Sequence, residues 1–347
     1  MFLKECTLKN FRCFEQQTFN TDAKTVLIEG VNGSGKTALL EALFYTVFAR
    51  SFRTSQLAEC MHDQSNACWI KSCGTTHGID WTITRARSAS ERVAKIGQQD
   101  ATTKQILELF KVVVLTAHDM TIIQGYPEQR RVFLDTIGIL SDPSYQSLLS
   151  RYRYTIKQKM ALLKTNTSGS ELDIWSERVW ILSKELSGKR AVLLERIEKI
   201  LVTLDTSRSE KVSFSLLSSC VKHASYEQFL AENMSIITRE KMYGKILFGA
   251  HFDDFEITKN QKNIKTMFSR GQQKILLIFL KLAMVEILQH EAIVLVDDFI
   301  TDFDQHNIEK YFYMLSERSS QLFITSPISF NDFSWLNMKT NSVKITL

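Results

Sequence analysis

A glycine-rich octapeptide near the start of the chain reads Gly30-Val31-Asn32-Gly33-Ser34-Gly35-Lys36-Thr37. It lies between a short apolar run at 25–29 and helix-forming residues at 38–43. Strand, GxxxxGK[ST] loop and helix, in that order, form the context in which this pattern binds nucleotide phosphates. Glycines let backbone N–H groups turn toward a phosphate, and the helix N-terminus adds a favourable dipole. We predict a P-loop for ATP, in which Lys36 reaches the β- and γ-phosphates and the Thr37 hydroxyl ligates Mg²⁺.

A second apolar run, 293–296, is followed by Asp297 and Asp298. An uninterrupted apolar strand fits a buried parallel sheet, and ligands bind such sheets at the carboxyl ends of their strands. A P-loop also needs a carboxylate to hold its magnesium. We assign Asp297 to Mg²⁺ and Asp298 to polarising the attacking water. Asp298 and the phosphate-binding Lys36 are the predicted catalytic residues.

The interval between these two motifs is longer than a compact P-loop domain needs. A hairpin is predicted over 69–84 and a buried strand over 112–115. From 144 the apolar residues recur every three or four positions, which is typical of a helix. A polar turn over 165–170 interrupts this pattern, and the same spacing returns from 172 to 204. We predict a short antiparallel helical arm at 139–244, inserted into a head domain formed by 1–138 and 245–347.

The predicted arm is rich in basic residues, and Tyr152 and Tyr154 lie among the first of them. The set is Arg151, Arg153, Lys157, Lys159, Lys164, Lys184, Lys189, Arg190, Arg196 and Lys199. A positive surface with aromatic residues is typical of nucleic-acid binding. A solvated helix face, balanced by the glutamates at 177, 185, 195 and 198, explains the pattern equally well.

The whole-chain composition indicates an ordinary globular protein. The 347 residues are 44% hydrophobic and 23% charged, with a net charge of +5, which permits a nucleic-acid surface without requiring one. No apolar stretch is long enough to span a membrane, and the first residues do not resemble a signal peptide. Six cysteines without a CxxC pair are most simply reduced thiols. We therefore expect a cytoplasmic protein without a membrane partner.

A third motif reads Phe268-Ser269-Arg270-Gly271-Gln272-Gln273-Lys274 and precedes an apolar helix. Ser269 is a natural helix N-cap, and Gly271 allows a close backbone approach to a ligand. The order of P-loop, insertion, SxGQ and apolar strand with Asp297-Asp298 resembles the ABC-type ATPase heads of the SMC group. This resemblance implies an α/β fold, a P-loop ABC/SMC-type ATPase head with a mixed sheet and the inserted arm. It also implies that Ser269, Gly271 and Gln272 of one head contact the γ-phosphate held by another, so that ATP joins a homodimer.

Within that group the chain resembles the RecF family over its whole length. The matching segments are Leu8-Lys9-Asn10-Phe11-Arg12, Leu40-Glu41-Ala42, Arg50-Ser51-Phe52-Arg53-Thr54, the stretches at 125–135 and 249–254, Ile300-Thr301-Asp302-Phe303-Asp304, and 321–325. The segments at 50–54 and 130–135 are the most discriminating. We expect Arg50 and Arg53 of the first of these segments to lie near the nucleotide base or phosphates. A structural ion pair is the alternative role for them.

The resemblance implies an ATP-dependent DNA-binding protein of repair and replication with weak ATPase activity. Such a protein dimerises on ATP and acts on single-stranded or gapped DNA with RecO and RecR, promoting RecA loading and the SOS response. Asp298 replaces the glutamate of fast ABC ATPases, and this shorter acid predicts slow hydrolysis. Two alternatives stay open: the ATPase head of another SMC-like DNA-processing system, and a partner-binding head that does not hydrolyse ATP.

The segment 249–254 departs from the family pattern, because Ala250 and Phe252 stand where relatives have proline and arginine. The sequence assigns no chemistry to His251, Asp253 and Asp254 of this turn. Arg130 and Arg131 fit either of two roles, as DNA contacts or as braces for the arm.

Overall fold

The computed structural model describes residues 1–63, 65–165, 170–204, 212–298, 305–330 and 341–347. Contacts divide the chain into a first unit, Met1–Asp119 with Ile278–Leu347, and a second unit, Met120–Leu277. The domain boundaries drawn from the sequence, 138/139 and 244/245, stay a prediction. The segment 300–304 and most of the predicted turn at 165–170 lie outside the described residues.

The described strands are between two and ten residues long. They are β1 Phe2–Phe11, β2 Phe14–Asn20, β3 Thr25–Glu29, β4 Ala67–Thr76, β5 Ile79–Ser88, β6 Arg92–Ile96, β7 Gln99–Asp100, β8 Val112–Leu115, β9 Val212–Leu217, β10 Asp254–Lys259, β11 Lys262–Asn263, β12 Ile293–Val296, β13 Gln321–Ser326 and β14 Ser342–Thr346.

The described α-helices include one of 35 residues. They are α1 Lys36–Phe48, α2 Thr103–Leu109, α3 Thr121–Gln124, α4 Pro127–Ser141, α5 Pro143–Lys164, α6 Ser170–Leu204, α7 Tyr226–Glu232, α8 Ile236–Tyr243, α9 Ile264–Met267, α10 Arg270–Ile287 and α11 Gln305–Arg318.

A five-stranded parallel sheet in the first unit has the order β14-β3-β13-β12-β8. Its strands β8, β12 and β13 are buried at every residue, as expected for a sheet covered on both faces. The predicted strands at 25–29, 112–115 and 293–296 are confirmed. Since β3 and β12 are parallel and separated only by β13, the P-loop and Asp297 follow strands that end at the same edge of the sheet.

The first unit also contains a six-stranded antiparallel sheet with the order β2-β1-β4-β5-β6-β7. The predicted hairpin at 69–84 is confirmed and extends over all of β4 and β5. Its two-residue turn is His77-Gly78, and both residues have positive φ, which suits the twist of a tight hairpin. Parallel and antiparallel strands therefore lie in separate sheets of a mixed α/β fold.

Helix α1 is buried on all sides in the first unit, since every residue from Ala38 to Val47 is buried. It contacts strands of both sheets, including β1, β4, β8 and β13, so it forms the centre of this unit. Gln321, also fully buried, joins the two sheets at another point. Its amide nitrogen lies 3.0 Å from the carbonyl oxygen of Leu3 and 2.6 Å from that of Thr21.

The second unit combines α4, α5 and α6 with a three-stranded antiparallel sheet of order β11-β10-β9. Helices α5 and α6 are antiparallel: Leu163 and Leu172 belong to one core cluster at their connected ends. At the opposite end Lys189 Nζ lies 2.6 Å from Asp142 Oδ2, beside the start of α5. The predicted antiparallel helical pair is confirmed.

Candidate functional site

The P-loop wraps the start of α1, with Gly35 as the N-cap residue. Gly35 has a φ of 108°, and a Cβ at this position would lie 2.7 Å from Cys13 Sγ and 2.8 Å from the ring of Phe14. No side chain caps this helix start, so the first backbone N–H groups of α1 stay available to an anion. Ser34 Oγ is buried, and the described residues provide it with no hydrogen-bond partner. These features fit a bound phosphate.

Lys36 is the first residue of α1 and is 4% exposed. Its ammonium donates to the carbonyl oxygens of Gly30 at 2.8 Å and Val31 at 3.0 Å, which holds the charge across the loop. Among the described residues Lys36 has no acidic partner within ion-pair distance. A buried cation with neutral partners favours an incoming anion, because the anion supplies the missing counter-charge.

Thr37 and Asp297 meet although they follow different strands. Thr37 Oγ1 donates to Asp297 Oδ1 at 2.9 Å. The backbone N–H of Asp297 donates to the carbonyl oxygen of Leu115, so β8 also fixes its position. A hydroxyl and a carboxylate side by side form the hard oxygen donor set that Mg²⁺ prefers, so these two residues fit the ion.

Thr325 of β13 completes this group, although it belongs to none of the predicted site motifs. Its Oγ1 lies 3.0 Å from Asp297 Oδ1 and 3.2 Å from Asp298 Oδ1. Burial raises the pKa of Asp297, and the neighbouring charge of Asp298 acts in the same direction. The hydrogen bonds from Thr37 and Thr325 and the positive charge of Arg53 oppose this shift.

The two arginines predicted near the nucleotide differ in their surroundings. Arg53 is half-exposed, with Nη1 3.8 Å from Glu41 Oε2, and its charge acts on Asp297. The guanidinium of Arg50 lies 5.3 Å from the ring centre of Phe48 and 5.9 Å from that of Phe44. The structure thus associates Arg53 with the P-loop group and Arg50 with an aromatic cluster on α1. The nucleotide role of both arginines stays a prediction.

The SxGQ motif begins α10 in the second unit with a reciprocal cap. Ser269 Oγ accepts from the backbone N–H of Gln272 at 3.3 Å, and Gln272 Oε1 accepts from that of Ser269 at 2.9 Å. The predicted N-cap is confirmed. Ser269, Gly271 and Gln272 are exposed, and a Cβ on Gly271 would meet none of the described atoms within 4 Å. Packing within the chain therefore does not require this glycine, which leaves room for a partner's atoms.

The acids of the turn at 249–254 hold arginines of the second unit. Asp254 forms a bidentate pair with Arg130. The carbonyl oxygen of Asp253 accepts from Arg131 at 2.8 Å, and its Oδ2 accepts from Arg190 at 2.8 Å. Of the two roles left open for Arg130 and Arg131, bracing is therefore the one that the contacts support.

His251 of the same turn is held by α5. Its backbone N–H donates to Tyr152 Oη at 3.1 Å, and Tyr152 Oη lies 2.6 Å from His251 Nδ1. Gly249 permits this approach, because its φ is 131° and a Cβ would lie 2.7 Å from Tyr152 Oη. The turn is thereby fixed against α5 and α6.

The ten arm residues named above for their positive charge fall into two sets. Lys159 and Arg190 are buried and paired with acids, while Lys184 and Lys189 bind carbonyl or carboxylate oxygens. The exposed set is Arg151, Arg153, Lys157, Lys164, Arg196 and Lys199. Of the ten named residues, these six are therefore the candidates for a nucleic-acid surface. No helix in the described part of the chain has the length and apolarity to cross a membrane.

Comparisons with known proteins agree with this architecture. The family model described as RecF/RecN/SMC N terminal domain matches residues 2–337. A protein named DNA replication and repair protein RecF, from an Exiguobacterium strain, is 30% identical over 327 residues, which cover 88% of this chain and 87% of that protein.

Two solved structures are similar over nearly the whole chain. One is described as the recombination mediator protein RecF-ATPrS in the RecFOR pathway, with a TM-score of 0.85 and 26% identity. The other is described as RecF-ATP in the same pathway, with a TM-score of 0.87 and 25% identity. Each comparison covers 99% of this chain and 95% of the other chain.

Proposed function

The chain belongs to the RecF family of the RecF/RecN/SMC group, and from this membership we propose that it is an ATP-dependent DNA-binding protein of recombinational repair and replication. In this proposal two copies dimerise when ATP and Mg²⁺ bind. The dimer acts in the cytoplasm at single-strand gaps with RecO and RecR, and it promotes RecA loading and SOS induction. The relatives named above, one of them described with ATP, support the proposal.

The observation that carries the proposal is the 2.9 Å contact between Thr37 and Asp297 at the end of the P-loop. Lys36 and the N-terminal N–H groups of α1 bind the phosphates of ATP. Thr37 and Asp297 hold Mg²⁺, which neutralises phosphate charge when it is bound. Ser269, Gly271 and Gln272, exposed in one copy, contact the γ-phosphate in the other copy.

Hydrolysis in this proposal is slow and limits the lifetime of the dimer. Asp298 polarises the attacking water, but aspartate is one methylene shorter than the glutamate of fast ABC ATPases. Its carboxylate also lies 3.2 Å from the hydroxyl of Thr325. A general base that reaches its water poorly loses part of the rate that positioning provides.

The exposed basic residues of α5 support the DNA-binding part of the proposal. Arg151, Arg153 and Lys157 lie within two turns of one helix, and Tyr154, 59% exposed, lies among them. Such residues bind phosphate oxygens and stack on bases without selecting a sequence.

The first test is the solution mass of the protein measured by light scattering, with and without ATP and Mg²⁺. We expect the mass to double with ATP and Mg²⁺, and we expect no change with the Lys36→Ala variant, because that variant lacks the cation that binds phosphate. The matched control is Lys24→Ala, which removes a half-buried lysine that binds backbone carbonyl oxygens away from the P-loop. Calorimetric titration with ATP separates binding from dimerisation.

A mass that ATP leaves unchanged, with ATP bound in the titration, would contradict ATP-driven dimerisation. That result would favour the alternative of a partner-binding head. Failure of the wild-type protein to bind ATP would overturn the proposal at its first step.

A further inference from the structure

The carboxylate of Glu41 is a fully buried acid on α1, one turn beyond Thr37. It accepts a bidentate pair of hydrogen bonds from Arg12, from Nε at 2.8 Å and from Nη2 at 2.6 Å. Arg12 Nη1 also donates to the carbonyl oxygen of Glu59 at 2.6 Å. This guanidinium therefore uses its fork on Glu41 and is held at a third point, which makes it a fixed counter-charge.

Ser51 connects the same carboxylate to the segment that carries Arg53. Ser51 Oγ donates to Glu41 Oε1. Ser51 Oγ in turn accepts hydrogen bonds from the backbone N–H groups of Arg53 at 2.8 Å and Thr54 at 3.1 Å. The backbone at Arg53 is thus attached through one hydroxyl to the helix that begins with the P-loop lysine.

Arg53 itself is held loosely. Its Nη1 lies 3.8 Å from Glu41 Oε2, beyond hydrogen-bond distance, and its side chain is 48% exposed. Since Arg12 already neutralises Glu41, two guanidinium groups share one carboxylate and Arg53 carries a surplus positive charge. Because Glu41 belongs to the helix that begins with Lys36 and Thr37, this charge is held beside the helix of the P-loop.

We propose that Glu41 and Ser51 are positioning residues that hold Arg53 toward the phosphate site, while Arg12 balances the charge of Glu41 so that Arg53 can leave it for a nucleotide phosphate. This inference rests on the ATP site proposed above and identifies the residues that orient its arginine. A purely structural Arg12–Glu41 pair would not require the bonds from Ser51 to the backbone of Arg53.

A double-mutant cycle tests this arrangement through the dissociation constant for ATP, measured by calorimetric titration with Mg²⁺. We expect Arg53→Ala to weaken ATP binding by about tenfold and Ser51→Ala by about threefold. In the Arg53→Ala background, Ser51→Ala should cause no further loss, because the serine acts only through that arginine. A role of Ser51 in stability alone would leave the two effects independent.

Two variants serve as controls. Ser51→Thr retains the hydroxyl and should bind ATP like the wild-type protein. Ser55→Ala removes an exposed serine from the same segment and should also leave ATP affinity unchanged. Thermal unfolding without nucleotide checks each variant, and Ser51→Cys, which keeps only a weak donor, replaces Ser51→Ala in the cycle if the alanine variant does not fold.

Additive effects of the two substitutions would overturn the inference, as would an unchanged dissociation constant in Arg53→Ala. Both results presuppose that the wild-type protein binds ATP, so they are distinct from a failure of the proposed function.

Discussion

The backbone N–H of Asp298 donates to the hydroxyl of Thr325 across 2.9 Å. Asp298 has a φ of 42°, a left-handed conformation that aspartate and asparagine tolerate better than most residues. Strand β13 therefore holds the residue after Asp297 in a defined orientation. The carboxylates of Asp298 and of Asp297, the proposed magnesium ligand, therefore both lie at the hydroxyl of Thr325.

We predict that Asp298→Asn slows ATP hydrolysis by about 100-fold, since an amide cannot accept the proton of the attacking water. Asparagine tolerates the positive φ and can accept from Thr325, so the fold and the ATP affinity should be retained. Light scattering with ATP and Mg²⁺ should show a dimer that persists longer than that of the wild-type protein. Equal hydrolysis rates in the two proteins would remove Asp298 from the catalytic role.

Ser269 has two roles that substitutions can separate: it caps helix α10, and in the proposed dimer it contacts the other copy. Ser269→Arg should leave ATP binding by the monomer intact and block dimerisation, because Ser269 acts across the interface in the proposed dimer. The variant also loses the N-cap, at a cost of about 1 kcal/mol in unfolding free energy. Ser269→Asn keeps the cap and serves as the control for stability. Sedimentation velocity with ATP compares the three proteins, and a normal ATP dimer of Ser269→Arg would show that the composite-site assignment is wrong.

His251 makes stability depend on pH below neutrality. Burial, together with the charges of Arg131, Lys159 and Arg190, lowers the pKa of His251 to about 4 from an ordinary value near 6.5. The unfolded chain takes up a proton as pH falls through 6.5, whereas the folded protein does not until about pH 4. The stability contributed by neutral His251 is therefore complete above pH 6.5 and is lost as pH falls toward 4.

We expect the free energy of unfolding to fall by about 2 kcal/mol more in the wild-type protein than in His251→Asn between pH 7 and pH 4.5. Asparagine keeps an acceptor for Tyr152 but does not titrate. Urea unfolding at several pH values measures the difference. His118→Asn, at an exposed histidine, is the control that should behave like wild type. Identical pH profiles for wild type and His251→Asn would contradict the prediction.

Lys159 and Glu240 form a fully buried ion pair in the second unit, 2.7 Å apart. We predict that Lys159→Met destabilises the protein by about 3–5 kcal/mol, because Glu240 then remains as an unpaired buried charge. The double variant Lys159→Met/Glu240→Gln should recover most of this loss. Glutamine can still accept from the backbone N–H of Leu247, which Glu240 binds at 2.8 Å. Urea unfolding of the single and double variants measures the coupling, and strictly additive losses would show that the pair is not a unit.

The sequence predicted the parts of the site that local patterns encode. The P-loop has a fixed spacing, and Asp297 follows a run of apolar residues, so neither required knowledge of distant contacts. Thr325 was not predicted as a site residue, because its role depends on β13 lying between β3 and β12. That adjacency depends on the fold of the whole chain, and a threonine at the end of a strand carries no distinguishing signal.

The burial of Arg190 in the arm is foreshadowed by its position in the apolar pattern of the sequence. The apolar series of α6 passes from Leu186 to Leu193 with a gap, and Arg190 occupies the missing position. A charged residue in register with an apolar stripe is oriented toward the core, where it must be paired. In the structure Arg190 is 2% exposed and binds Asp135 and Asp253.

The order of strands in the parallel sheet has a consequence for synthesis of the protein. Strand β3, which leads into the P-loop, lies between β13 and β14 in the described sheet, and both of these strands come near the other end of the sequence. At ribosomal rates of about 5–20 residues per second, β3 waits roughly 15–60 seconds for its neighbours. The second unit is continuous in the chain and can fold during that interval, whereas β3 then has apolar side chains and two edges of unpaired backbone N–H and C=O groups. Until β13 and β14 are synthesised, the P-loop strand can therefore pair with strands of other chains.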